Sequence, residues 1–519
     1  MTDRFEKVLE TISKGAAIVL FGSFLAKGLA FLSKAILAKY YGPNGLGLIA
    51  LALMILGITT KLSAGGFDAA LKKFIPKFLV DDDQKKVSGT MLTVLLISLL
   101  LSGTTGVFIY LFSYQISVTL FNSQSLSPLL KIFALLIPLQ SLLVLLSHIF
   151  LAFERTKIKV TFRDIGEHLS HFLLFLVVIG IGGSIVNIAY TYLLTGAILV
   201  FLSFVVLEKK VYPFLKILAS RSAAFIPKKI LGYSLPLLFS GIFVLGMGWT
   251  DTFMLGFYKT EDVVGIYNLV LSVSLLLLIF LHSINQIFFP VISDLHAKKE
   301  FDGLARTFGT VLRWIFFLTF PFFLFLIVFA EPILTIFFPK YVPGWRALVI
   351  LGIGMMFRAG LGPVGHTLKT YSETHFIFKM NAVLLPLNVG LNIVLIPVIG
   401  LEGAAIATAT VFIINNIVEM WKVRTIISFD LSFISYLKYT IASVSPLIVL
   451  YLFYHFFFVN WWLLISTFAV YLLVYLLISI KIGGMKKEDI VLFRVFDIIM
   501  DKLGLKWFKV AHRMEKYLE

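Results

Sequence analysis

The sequence predicts an all-α polytopic membrane protein of about 14 transmembrane helices, built as two parallel six-helix repeats followed by two further helices. Three observations carry this. Of 519 residues, 59% are hydrophobic and only 14% are charged, far from the balance of a soluble domain. Fourteen stretches approach the roughly 20 apolar residues that a helix needs to cross about 30 Å of hydrocarbon. The chain is also written twice: Gly28, Tyr40, Gly47, His148, Thr156, Gly182 and Ala189 reappear as Gly246, Tyr258, Gly265, His366, Thr374, Gly400 and Ala407, every pair 218 residues apart.

The apolar segments of the first repeat run 15–38, 46–66, 87–112, 129–151, 160–182 and 185–207. Those of the second run 230–257, 263–289, 308–329, 343–367, 377–398 and 402–421, and segments 13 and 14, 436–457 and 461–480, stand outside the repeat. This divides the chain into an N-terminus (1–14), a first bundle (15–208), a linker (209–229), a second bundle (230–425), helices 13 and 14 (426–481) and a tail (482–519). An even number of helices per repeat returns the chain to its starting side. The repeats are therefore parallel, related by an axis along the membrane normal, with a substrate path expected between them. Helix breakers inside the spans mark bends: Pro138, Pro236, Pro321, Pro386, and the run Gly352, Gly354, Gly360, Gly362, Pro363 and Gly365 in segment 10. Residues 1–14 carry charges of both signs, which argues against a removable signal peptide.

The net charge of +17 invites a nucleic-acid reading until the charges are placed. Of the 45 Lys and Arg, 35 fall before segment 1, in the even-to-odd loops or after segment 14, and five (Lys39, Lys131, Lys259, Lys340, Arg346) fall on the opposite side. That bias predicts cytoplasmic termini and a lipid-facing role for the basic excess, with no nucleic-acid partner. From Lys486 to Glu519, apolar residues alternate with lysines, as in an amphipathic helix on an anionic leaflet; a docking site for a partner enzyme is the alternative. The absence of cysteine excludes disulfides, thiolate metal sites and cysteine nucleophiles.

Chemistry must come from charges within the spans, each costing roughly 2.5–3.5 kcal/mol at mid-bilayer if unpaired. Lys27 and Lys34 lie seven apart, about two turns, on one face of segment 1. With Lys61 and Arg358 they are candidates to line a cationic path, while Arg313 is placed to snorkel. The acids are Asp68, Asp164, Glu167, Asp251 and Glu419. Asp251 holds the repeat position of Ser33, so an Asp251–Lys34 pair made in one state and broken in another is a candidate switch. His148 and His366, at matching points of segments 4 and 10, are candidates for proton coupling or for structural hydrogen bonds. His168 and His171 lack a third ligand nearby, so no metal site is expected. No GK[ST] phosphate loop is present, and Asp81, Asp82 and Asp83 sit among lysines, as a solvated charge run does.

The stretch Ala38-Lys39-Tyr40-Tyr41-Gly42-Pro43-Asn44-Gly45-Leu46-Gly47-Leu48 resembles the hinge of polysaccharide exporters. Val264-Gly265-Ile266-Tyr267, Pro290-Val291-Ile292-Ser293-Asp294-Leu295, and Ile399-Gly400-Leu401-Glu402-Gly403-Ala404-Ala405-Ile406-Ala407-Thr408 are similar to later motifs of the same group. Together they resemble the multidrug/oligosaccharidyl-lipid/polysaccharide exporter superfamily, in its O-antigen-type flippase branch. The resemblance implies two six-helix bundles, alternating access, a cationic cavity for the sugar and phosphate of a polyprenyl-linked oligosaccharide, and a groove for the prenyl tail at helices 13 and 14. Drug-exporting relatives often rely on a carboxylate in helix 1, where this chain has Lys27 and Lys34. The expected activity is flipping of a lipid-linked oligosaccharide, driven by H+, Na+ or the membrane potential, with no cofactor. A cation-coupled drug antiporter and a polytopic glycosyltransferase or polymerase are the alternatives.

Overall fold

The computed structural model describes residues 2–219, 224–337, 339–429, 433–456 and 461–482. The amphipathic tail expected from Lys486 onward lies outside the described residues, as do the side chains of residues 1–14. Every described element is helical, the only open structure that satisfies all backbone polar groups within hydrocarbon. Among the described residues, eleven helices are long and apolar enough to cross a membrane, and twelve if Pro227–Phe243 and Leu245–Tyr258, bent by 46°, form one span.

Glycine and proline set the breaks. Segments 1 and 2 run on as one helical stretch, Thr2–Ala64, broken only at Gly42 (φ 66°, ψ −171°) and the following Pro43. That φ is cheap for glycine, and proline removes the next backbone donor. Segment 5 opens in wide π-helical turns, Val160–Gly166, and becomes regular over Glu167–Gly180. Segment 10 splits into Trp345–Gly360 and Val364–Thr370 at Gly362 (φ 73°) and Pro363. Pro138, Pro321 and Pro386 instead sit inside continuous helices.

The chain forms two compact units. The first comprises Met1–Val273, Phe337–Ile350 and Thr374–Val411. Its central helix, Leu126–Ala152, packs against Gln84–Leu111, Ile185–Val206 and Thr2–Ala64. Leu145, Leu146, Ile149 and Phe150 meet Leu71, Ile75, Val87 and Met91 in a closed apolar core. The helix Phe67–Val80 is amphipathic: Phe67, Ala70, Leu71, Phe74, Ile75 and Phe78 are buried while Lys72, Lys73 and Lys77 are exposed. Asp83 caps Gln84–Leu111, accepting from Lys86 N at 3.0 Å. Its hydrogen bond from the Lys86 side chain holds the carboxyl below the usual carboxylate range. This member of the acidic run is a helix cap.

Two repeat-related glycines bring the halves of the sequence together inside this unit. A Cβ on Gly47 would lie 1.9 Å from Glu261 O and 3.0 Å from Gly265 N. A Cβ on Gly265 would lie 1.9 Å from Pro43 O and 2.9 Å from Gly47 N. Pro43 and Glu261 keep the same 218-residue offset as the glycines, so the contact is reciprocal about a local two-fold axis.

The second unit comprises Ser274–Ile336, Leu351–Glu373 and Phe412–Glu519. Its helix Phe301–Val328 carries an aromatic seam against Phe433–Phe456 and Trp461–Lys481. Phe317 meets Tyr439 at 5.0 Å and Phe325 meets Phe468 at 4.6 Å between ring centroids. Tyr475 Oη donates to Phe317 O at 2.9 Å. In lipid, where burial of apolar surface drives little, such packing and hydrogen bonding hold helices together.

Substituting Gly47→Ala or Gly265→Ala forces the crossing backbones apart and is expected to cost about 1–3 kcal/mol. Gly28→Ala, with nothing within 4 Å of the added carbon, serves as control. Thermal unfolding of the purified protein in detergent measures it; equal melting temperatures for Gly47→Ala and Gly28→Ala would contradict the close crossing.

Candidate functional site

The first unit holds a buried carboxylate with a complete set of donors. Asp251, near the end of Pro227–Tyr258, is 6% exposed. Its Oδ2 accepts from the hydroxyls of Tyr267 and Thr408, and its Oδ1 accepts from Asn392 Nδ2 at 3.0 Å. The same Nδ2 donates to Asn388 O at 2.9 Å, and Asn392 Oδ1 is buried without a hydrogen-bond partner. Asn388 and Asn392 sit four apart on Thr374–Ile399, which places both on one face toward Asp251. Every potential ligand atom here is an oxygen, a set that suits a small hard cation or a proton. The described residues contain no group of three or more His, Cys, Asp or Glu able to hold a metal.

Lys34 lies nearby on a different network. Its Nζ donates to Ser272 Oγ at 2.9 Å, and Ser272 donates in turn to Asn268 O at 2.7 Å. One helix, Glu261–Ser274, thus supplies Tyr267 to Asp251, Asn268 to Thr252 and Ser272 to Lys34. Asp251 and Lys34 are not paired in this structure, since each is bonded elsewhere.

Lys34 also lines a cavity of about 250 Å³ with Gln140, Glu167, His168, His171, Tyr192, Thr195 and Trp249. The rings of His171 and Tyr192 lie 3.8 Å apart between centroids. His171 Nε2 and Thr195 Oγ1 are buried without partners. Asp164 and Glu167, the latter on the cavity wall, are neutralised locally. Lys159 Nζ bonds both oxygens of Asp164 at 2.7 Å, Arg163 bonds Glu167, and Gln140 Nε2 donates to Glu167 Oε1 at 2.8 Å. His148 stands within electrostatic reach of Asp68, Lys72, Lys159 and Arg163, with its Nδ1 buried and unpartnered.

The other sequence candidates are dispersed. Lys27 is exposed and does not line the cavity. Lys61 is half-buried and packs over Gly241, where an added Cβ would meet its Cε at 3.0 Å. In the second unit, the Arg358 guanidinium lies over the Phe412 ring at 4.8 Å, Glu419 packs against Gly365, and His366 makes an edge contact with Phe289 at 5.4 Å.

The family model described as "Polysaccharide biosynthesis protein" matches residues 12–296, more than half of the chain. The chain belongs to this family. A second family model, MatE, matches residues 236–394. Over 430 residues the polysaccharide biosynthesis chain is 24% identical to an uncharacterized membrane protein of Methanocaldococcus jannaschii, covering 79% of this chain and 84% of that one. It is 24% identical over 181 residues to a probable low-salt glycan biosynthesis flippase, Agl15, of Haloferax volcanii, and 26% identical over 179 residues to that organism's probable flippase AglR. Those two matches span 35% and 34% of this chain and 38% of each relative. Among solved structures, the lipid II flippase MurJ in an inward closed conformation superposes with a TM-score of 0.71 at 18% identity, over 89% of this chain and 98% of that one. An inward-facing multidrug resistance MATE transporter of the MOP superfamily gives 0.64 at 16% identity, over 79% and 97%. These likenesses establish the fold, and the superfamily expected from the motifs is the one found.

Tyr267 and Thr408, which close on Asp251, both lay inside the family-like motifs, yet nothing in those motifs marked them as its partners. The Asn388-x-x-x-Asn392 spacing in an apolar span was the one legible sign of a polar face there.

Asp251→Leu strands the donors of Tyr267, Thr408 and Asn392 at about 1–3 kcal/mol for each group left unsatisfied. Asp251→Asn retains an accepting oxygen and is expected to melt within a few degrees of the wild type. Thermal denaturation in detergent checks the order; a Leu variant as stable as the Asn variant would refute the network.

Proposed function

We propose that this chain is a flippase that moves an oligosaccharide linked to a polyprenyl phosphate or diphosphate from the cytoplasmic to the outer leaflet by alternating access. The observation that carries the reading is an ammonium, Lys34, set on the wall of a cavity in which aliphatic side chains alternate with polar and aromatic ones, inside a membrane-spanning unit. Moving a charged headgroup through hydrocarbon without such a route is prohibitive, and ammonium groups bind phosphate as point charges. Tyr192, Trp249, Gln140 and Thr195 offer the mixed aromatic and hydrogen-bonding walls that sugar rings need. The relatives named as flippases in a glycan-building context support the same reading, and flippases are transporters, not enzymes.

In this reading Lys34 and Lys27 receive the phosphate, Lys61 and Arg358 are further substrate-binding candidates, and glycan-assembly enzymes are candidate partners. The moving bodies are the repeats 15–208 and 230–425, and the reciprocal Gly47–Gly265 contact supports their two-fold relation. Asp251 is the coupling group. Its oxygen-only surroundings, including the unpartnered Asn392 Oδ1, fit H+ or Na+, and loading there changes the hydrogen bonding that ties Pro227–Tyr258 to Thr374–Ile399. His148 and His366 are further coupling candidates. The protein resides in the cell membrane with both termini cytoplasmic, as its Lys and Arg distribution supports. A buried carboxylate would also serve a cation-coupled drug antiporter, the second reading.

The test is leaflet translocation of a fluorescent polyprenyl-phosphate-linked oligosaccharide in proteoliposomes. Lys27→Ala with Lys34→Ala is expected to slow flipping at least tenfold, on the order of 1.4 kcal/mol or more in transition-state binding. Asp251→Asn is expected to flatten the dependence on pH or Na+. Flipping indifferent to both lysines would discard the cationic path. Efflux of small organic cations without lipid flipping would favour the antiporter.

A further inference from the structure

Away from the cavity, the first unit carries a basic surface on which Lys73 and Lys229 form no ion pair among the described residues. On the amphipathic helix Phe67–Val80, Lys73 Nζ lies 4.0 Å from the centroid of the Tyr233 ring and 5.7 Å from that of Phe74. Lys229 Nζ lies 5.5 Å from Phe74 and 5.2 Å from Phe78, and Lys86 Nζ lies 5.7 Å from Phe78. Sharing the Phe74 ring keeps Lys73 and Lys229 within about 11 Å of each other. Lys86 is paired with Asp83 at 2.5 Å, whereas no carboxylate among the described residues forms an ion pair with Lys73 or Lys229.

The arrangement is built. Lys229 comes from the linker between the repeats, and that linker is fastened to Gln84–Leu111 at both ends. Tyr212 Oη meets Ser88 Oγ at 2.8 Å, Ala224 N donates to Lys85 O at 3.0 Å, and Ile226 N donates to Thr93 Oγ1 at 3.2 Å. Gly89 makes room for the strap, since a Cβ there would lie 1.8 Å from Ala224 O. The fold thus holds two exposed ammonium groups, no more than about 11 Å apart, against a stacked aromatic pair. An anion seated between them is attracted by both.

We infer that Lys73 and Lys229 form a binding surface for the anionic headgroups of the bilayer, clamping the linker to the first repeat. The commitment to bilayer lipid rests on location and charge. The amphipathic helix closes the apolar stretch Leu25–Val80, and its apolar face packs into the protein core, which turns its lysines outward at the end of that stretch, where headgroups would lie. Anionic lipid attracts such lysines at about 1 kcal/mol each. The surface lies outside the cavity, and the inference stands or falls separately from the transport reading.

The experiment uses the full chain, purified from bilayers of mixed zwitterionic and anionic phospholipid and titrated with short-chain anionic phospholipid in detergent. Lipid retention is read by native mass spectrometry. Lys73→Gln with Lys229→Gln is expected to weaken anionic lipid binding about tenfold to thirtyfold, with zwitterionic lipid unaffected. Lys73→Arg with Lys229→Arg is expected to retain it, which separates lost charge from lost fold. The charge-matched control, Lys209→Gln with Lys210→Gln, is expected to bind as the wild type does. Undiminished binding in the Lys73/Lys229 variant, or an equal loss in the control, overturns the site. Displacement of the lipid by millimolar inorganic phosphate overturns the assignment to lipid.

Discussion

Much of the first unit depends on two backbones that touch. Where Gly47 meets Gly265, neither position has room for a single carbon, because each glycine faces the carbonyl that precedes its partner by four residues. Close approach of this kind brings carbonyl oxygens against Cα hydrogens, a weak attraction that repeats symmetrically across the contact. It also fixes the register of the helix Glu261–Ser274 against the chain that follows the Gly42–Pro43 break. That register matters because the same short helix presents Tyr267, Asn268 and Ser272 to three different partners.

Among the described residues, charges within the spans meet different surroundings: some are bonded to a neighbour, some lie against an aromatic ring, and Lys34 faces open space. Asp164 and Glu167 are neutralised by bases on their own helical stretch. Arg358 rests on Phe412. Asp251 is held by neutral donors alone, so no opposite charge cancels it, and Lys34 keeps one hydrogen bond and an open face toward the cavity. A charge kept in hydrocarbon without a counter-charge is costly to maintain. Those two groups therefore lead the proposed binding and coupling roles.

The two networks are neighbours without being joined. Asp251 and Thr252 are adjacent on Pro227–Tyr258, and the helix that binds both also binds Lys34. In the proposed function, a change in the hydrogen bonding of Asp251 would reach the element that orients Lys34 through helical backbone and not through a salt bridge.

The membrane class, the repeat at an offset of 218, the exporter superfamily and the identity of the charged residues within the spans were legible as composition, periodicity or motif spacing. Of the expected helix breakers, Gly362 and Pro363 split segment 10, whereas Pro138, Pro321 and Pro386 lie inside continuous helices. Which charges have partners depends on how distant segments pack. Asn392 and Thr408 stand 141 and 157 residues from the carboxylate they bind, and neither their helices' apolar composition nor any local pattern specifies that approach. The same holds for Lys27 and Lys34, equivalent on one helix face, of which only the second lines the cavity. Helix packing chooses between them, and packing is a property of many segments at once.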